Sequence, residues 1–224
     1  MPVKIGCCGF PVAQKQYMEF FSTVEIQKTF YQPPEPTTLQ RWRQNAPPDF
    51  EYVVKVWQVI THPPKSPTYQ KISFEIPPEK QNNYGYFRNT PEVWEGWNRT
   101  LEAGRILQAK TFLFQTPASF VLNSENKEHI RKFFTLVNHE DFHFVWEPRG
   151  NFDLADVLML CEELDLIPCL DPFMHPIPAQ KLFYIRLHGR EGSKYRYTED
   201  DFAHLLSVLP LDIPGYVFFN NAHM

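Results

Sequence analysis

Residues 182–190 read LFYIRLHGR, and the alternation inside this stretch decides the fold class. Side chains of a strand point to opposite faces in turn, so Tyr184, Arg186 and His188 share one face while Ile185 and Leu187 share the other. The aliphatic face can be covered by helices, but the charged face is costly unless it meets other polar groups, a ligand or water. The same design recurs elsewhere. In residues 144–149, FVWEPR, the residues Val145, Glu147 and Arg149 oppose Phe144 and Trp146; in residues 24–27, VEIQ, Glu25 and Gln27 oppose Val24 and Ile26. Lys55, Gln115 and Asp171 close three further runs, and Asn220 with Asn221 follows the last.

Working outward, eight β-branched or aromatic runs are readable at 3–7, 23–27, 50–56, 111–115, 143–147, 168–171, 182–188 and 216–219. Helix patterns lie between them at 14–21, 37–45, 91–109, 124–137, 153–164 and 199–209, several opened by Ser, Thr or Asp. Alternating strands and helices predict an α/β fold, a compact (β/α)8 TIM barrel; about 250 residues is usual for it and this chain has 224. One domain over 1–224 is expected, without the last C-terminal helix because only Asn220 to Met224 follow the final strand. Residues 57–90 are too long for an ordinary connection and read as an ordered insertion or lid after the third strand.

Composition narrows the function. A hydrophobic content of 43% excludes a disordered chain, and a formal net charge of −4 gives no global pull toward nucleic acid or anionic membrane. No glycine-rich dinucleotide or triphosphate fingerprint is present, so no cofactor is expected. Cys7, Cys8, Cys161 and Cys169 lack metal spacing and suit a reducing compartment; with no signal peptide and no apolar run of membrane length, the cytoplasm is the expected location.

Loops at the C-terminal ends of barrel strands carry the active site in this fold, so the polar strand ends form the expected site. Glu25, Glu147 and His188 are its candidate catalytic residues, His188 foremost because an imidazole titrates near neutral pH. Lys55, His62, Gln115, Arg149, Asp171, Arg186, Gly189, Arg190, Asn220 and Asn221 are the candidate binding residues. Arg186, His188, Gly189 and Arg190 lie where such barrels often hold phosphate, which points to an anionic ligand. Each pair, such as Glu147 with Arg149 or Asp171 with Arg186, has a plainer reading as ion pairs plugging the barrel top. Lys55 could be a Schiff-base nucleophile, though nothing in the sequence shows it desolvated.

The strings IGCCGF, VEIQKTFY, FEYVVKVWQVITH, FQTPASF, EPR, YIRLHGR and FFNN, in this order from Ile5 to Asn221, resemble the signature segments of the YecE-like barrels, the domain of unknown function family 72. The resemblance implies a (β/α)8 barrel with a polar pocket at the strand C-termini, in a soluble bacterial or archaeal protein, and no established reaction. By it the pocket positions are Gly9, Glu25, Thr29, Tyr31, Lys55, Thr61, His62, Gln115, Glu147, Arg149, Arg186, His188, Gly189, Arg190, Asn220 and Asn221. The chain departs from the family at Cys7-Cys8-Gly9-Phe10, where Thr-Ser-Gly-Trp is usual, and at Gln27, where Asn is usual.

The expected function is an enzyme, a hydrolase or isomerase, acting on a small phosphorylated, carboxylated or sugar-like anion by general acid/base chemistry. One alternative is a metal-dependent phosphodiesterase or isomerase using Glu25, Glu147, Asp171 and His188 as ligands. Another is a non-catalytic ligand- or nucleic-acid-binding barrel in which His62, Lys65, Tyr69 and Lys71 contact bases and phosphates; nucleic acid is the less favoured partner, and no membrane partner is expected.

Overall fold

The computed structural model describes residues 3–139, 141–178 and 180–222. Eight parallel strands, β1 (Val3–Cys7), β2 (Thr23–Ile26), β3 (Glu51–Lys55), β4 (Thr111–Gln115), β5 (His143–Glu147), β6 (Ile167–Leu170), β7 (Phe183–Leu187) and β8 (Gly215–Phe219), pair in the order β1-β8-β7-β6-β5-β4-β3-β2. Around them lie α1 (Gln14–Tyr17), α2 (Lys28–Tyr31), α3 (Pro36–Asn45), α4 (Gln58–Thr61), α5 (Pro91–Leu107), α6 (Ser124–Leu136), α7 (Leu154–Glu163) and α8 (Glu199–Val208). This is the TIM barrel expected. Strand bounds differ from the sequence reading by a residue or two, and the helix expected over 14–21 shrinks to the single turn α1. Within the described residues no helix follows β8: Asn221 and Ala222 form a bend and a turn. No helix among the described residues is long and apolar enough to cross a membrane.

The helices start where their chemistry dictates. Thr90 caps α5 by accepting from the Val93 N–H, with Pro91 at the first position, and Thr198 and Asp201 form a reciprocal capping box on α8. Outside the sheet, Phe87, Trp97, Phe112, Phe114, Phe133, Phe134 and Phe144 form one aromatic layer under α5 and α6. Inside it, Cys8, Val53, Leu113, Val145, Cys169, Tyr184 and Phe218 fill the barrel, so the lumen is a core and not a pore.

Closure between β1 and β2 is thin. It consists of one bridge, Cys8 to Glu25, with the Gly9 N–H donating to the Glu25 carbonyl at 2.8 Å. Below this bridge the Tyr17 hydroxyl takes the place of a ladder bond: it accepts from the Cys7 N–H at 2.7 Å and donates to the Thr23 carbonyl at 2.8 Å. Gly6 permits this close approach, since a Cβ there would lie 2.5 Å from the Thr23 carbonyl oxygen.

Residues 57–90 are ordered by α4 and two 3-10 turns, Pro67–Lys71 and Pro78–Asn83. The chain folds back on itself through Gly85 N–H to Val59 O at 2.8 Å and Phe87 N–H to Ile60 O at 2.9 Å. Tyr86 then donates to the Ser119 Oγ at 2.9 Å, tying the segment to the loop after β4.

Candidate functional site

The floor of the site follows from strand parity. Glu25 on β2, Glu147 on β5 and Arg186 on β7 all project into the barrel, and the guanidinium of Arg186, 1% exposed, bridges the two carboxylates. Its Nε lies 3.0 Å from Glu25 Oε2, NH2 donates to Glu25 Oε1 at 3.1 Å, and NH1 donates to Glu147 Oε2. Tyr184 donates to Glu25 Oε2 at 2.6 Å, and the Gln27 amide donates to Oε1. Both Glu25 oxygens are therefore saturated in a site closed to water. Glu25, expected as a catalytic residue, is thus held in the floor by Arg186, Tyr184 and Gln27.

Above this floor the polar groups gather around Glu147. In the β4–β5 ladder Gln115 is the direct register partner of Glu147, and its amide donates to Oε2 at 2.7 Å. Oε1 receives His188 Nε2 at 2.9 Å and Arg149 NH1 at 3.1 Å. Burial alone would raise the Glu147 pKa, but Arg186, His188 and Arg149 together hold it well below the usual carboxylate range. Glu147 is thus a fixed anion. Asn220 Nδ2 stands 3.0 Å from His188 Nδ1, and His188 Nε2 faces both Glu147 Oε1 at 2.9 Å and Arg149 NH1 at 3.1 Å.

Lys55 completes the set from β3. Its Nζ donates to Gln115 Oε1 at 2.9 Å and sits 4.1 Å from the centre of the Phe30 ring. Among the described residues the hydrogen-bonded network thus joins three cationic side chains, Lys55, Arg149 and Arg186, to two carboxylates, Glu25 and Glu147.

Beside the network an open cleft of about 570 Å³ lies between residues 62–68 and the loop after β4. His62, Lys65, Thr68, Tyr86, Gln115, Thr116 and Arg149 are among its lining. His62 is buried edge-on to Phe30, with Nδ1 at 2.8 Å from the Thr61 hydroxyl. Burial, followed by the charge of Lys55, lowers its pKa to about 3, so it is a neutral wall of the cleft. The Thr68 and Thr116 hydroxyls have no hydrogen-bond partner among the described residues.

The family model described as a protein of unknown function, DUF72, matches residues 13–223. The chain belongs to the DUF72 family. Two solved structures of DUF72 family proteins are similar to it: one from Enterococcus faecalis V583 (TM-score 0.68, 20% identity, 98% of this chain and 90% of that one) and one from Thermotoga maritima MSB8 (0.65, 20%, 99% and 93%). A xylose isomerase domain containing protein from Salmonella typhimurium LT2 shares the fold (TM-score 0.63, 12% identity, 99% and 89%). No curated protein matches the chain.

Several expected site residues of this DUF72 chain lie apart from the network. Arg190 turns away to Asp201 Oδ1 at 2.9 Å, because the α8 capping box already presents that carboxylate. The Gly189 N–H donates to the Tyr197 hydroxyl at 2.8 Å, and the Asn221 amide donates to the Tyr195 carbonyl at 2.7 Å. Asp171 accepts from the Phe173 N–H at 3.0 Å and makes no ion pair with Arg186; burial raises its pKa, against that bond and the nearby His188. The phosphate cradle read from residues 186–190 is therefore not assembled. Nor do three His, Cys, Asp or Glu side chains converge to hold a metal among the described residues, since the Arg186 guanidinium occupies the space between the two carboxylates. Of the residues read as a nucleic-acid surface, His62 packs on Phe30 and the Tyr69 hydroxyl donates to the His62 carbonyl, while Lys65 and Lys71 are exposed, the Lys71 ammonium over the Tyr31 ring. Tyr184 and Phe30 were missed as site residues. Tyr184 was legible by parity with Arg186; Phe30 was not, because a short helix after β2 presents it.

Proposed function

We propose that this DUF72 protein is an enzyme that binds a small phosphorylated, carboxylated or sugar-like anion at the C-terminal mouth of the barrel and transfers a proton on it by general acid/base chemistry. The observation that supports this reading is the charge imbalance around Glu147: Arg186 is consumed by both carboxylates, while Arg149, with its side chain 45% exposed, carries its charge into the cleft. A guanidinium with free donors suits a carboxylate or phosphate. Lys65, exposed on the facing wall, would add a second contact.

His188 is the proton-transfer group in this reading. Its ring is 23% exposed, and the Glu147 carboxylate beside Nε2 stabilises the imidazolium formed when the ring takes a proton and Asn220 turns its amide oxygen toward Nδ1. Glu147 itself, receiving hydrogen bonds on both oxygens, orients and charges the ring and does not exchange the proton.

Thermal-shift titration with ribose 5-phosphate, 3-phosphoglycerate and neutral ribose tests the reading. At least one anion should raise the melting midpoint and ribose should not; Arg149→Ala should weaken the anion about tenfold to a hundredfold, the loss expected for a charged hydrogen-bonded contact. His188→Asn should keep binding yet abolish exchange of substrate C–H for deuterium. Equal stabilisation by neutral ribose, or an unchanged response in Arg149→Ala, would overturn it.

A further inference from the structure

Lys55 has an environment unlike that of a structural lysine. It is 5% exposed, yet among the described residues no carboxylate forms an ion pair with it, because Arg186 bridges Glu25 and Glu147. Its ammonium is left with one amide acceptor, Gln115 Oε1 at 2.9 Å, and the face of Phe30 at 4.1 Å. One flank leads toward open space: Gln115, whose amide oxygen holds the ammonium, lines the cleft, while the other is closed by the buried Phe30. Gln115 is itself tethered to Glu147, and as a neutral amide it can hold one N–H of Lys55 without taking its proton.

We propose that Lys55 is a nucleophilic amine that captures the carbonyl carbon of a small anionic aldehyde or ketone as an imine, an inference that rests on the cleft being a site for small anions. The charged groups acting on it are Arg186, Glu25 and Glu147 from the barrel interior, with the Cys8 thiol, pushed up by burial, and His62 both neutral beside it. Burial, then Arg186, lower the amine to about 8 against the raising effect of the two carboxylates. At pH 7.5 roughly a quarter of such amines are neutral, against about a thousandth for an exposed lysine. The neutral nitrogen forms a bond to the carbonyl carbon as the C=O pair moves to oxygen; both nitrogen-bound hydrogens then leave with that oxygen as water, giving the imine. Nothing is oxidised or reduced. Access requires the Gln115 side chain to swing from Lys55 toward the cleft it already lines.

Pyridoxal 5′-phosphate, a small anionic aldehyde, and pyridoxal, its uncharged-side-arm analogue, test this on the whole chain. Sodium borohydride, added after short incubation, delivers hydride to the imine carbon and fixes a secondary amine that peptide mass spectrometry locates. Lys55 should be labelled at least about tenfold faster than the exposed Lys15, as its larger neutral fraction requires, and faster by the phosphate form than by pyridoxal. Lys55→Arg should lose the fast label while keeping the slow label at Lys15 and a cooperative melting transition. Equal labelling of Lys55 by both aldehydes would support the amine and overturn the anion site. Label confined to exposed lysines, with the Arg149-dependent melting shift intact, would overturn the amine alone.

Discussion

Arg186 separates a buried ion cluster from a chain of ordinary contacts. Removing it leaves Glu25 and Glu147 as uncompensated charges in the barrel, so Arg186→Met should lower unfolding free energy by about 3–5 kcal/mol. Adding Glu25→Gln and Glu147→Gln should restore much of it in urea denaturation; a single-variant loss below about 1 kcal/mol would show the cluster to be hydrated. His62 supplies the pH counterpart. Its folded pKa of about 3 lies below the unfolded 6.5, so the unfolded chain binds the extra proton and stability falls as pH drops from about 6.5 toward 3. Between pH 7.5 and 5 His62→Gln should remove about 2 kcal/mol of that fall; equal slopes in the two proteins would reject the assignment. Glu25, Glu147 and Arg186 were legible as inward-facing because pleat parity is a local property of the chain. Arg190 and Asp171 were not, because their partners, Asp201 and the Phe173 amide, are chosen by a helix cap and a turn rather than by the strand.

At the level of elements, the join between β1 and β2 depends on a side chain from α1. Tyr17→Phe would strip a hydroxyl that serves Cys7 N–H and Thr23 C=O in a buried position, leaving both unpaired. The expected cost is about 2–4 kcal/mol, with faster hydrogen exchange at the Cys7 amide; an unchanged amide rate would mean that another group closes the gap. Strand positions were readable from apolar runs and their polar ends, whereas this substitution of a phenol for a ladder bond left no periodic trace. The segment 57–90 was legible as an ordered insertion from its length and prolines. Its inward-turned rings were not, since Tyr69 and His62 find their partners only after the segment folds back on α4.

For the whole molecule, eight strand signals in regular alternation left the barrel as the economical solution, and DUF72 membership agrees with it. The mouth was legible as a region but not as a set. Convergence of strand ends is dictated by closure, while the choice of which charges neutralise one another depends on register, as Gln115 beside Glu147 illustrates.

The single bridge that closes the wall is made by Glu25, whose side chain also anchors the buried charges. Mechanical slack at that stitch therefore becomes dielectric slack at the floor: each breathing event that parts the two strands would wet the carboxylate first and loosen its hold on Arg186. The protein has tied how tightly its cylinder is laced to how strongly its interior field is felt at the entrance.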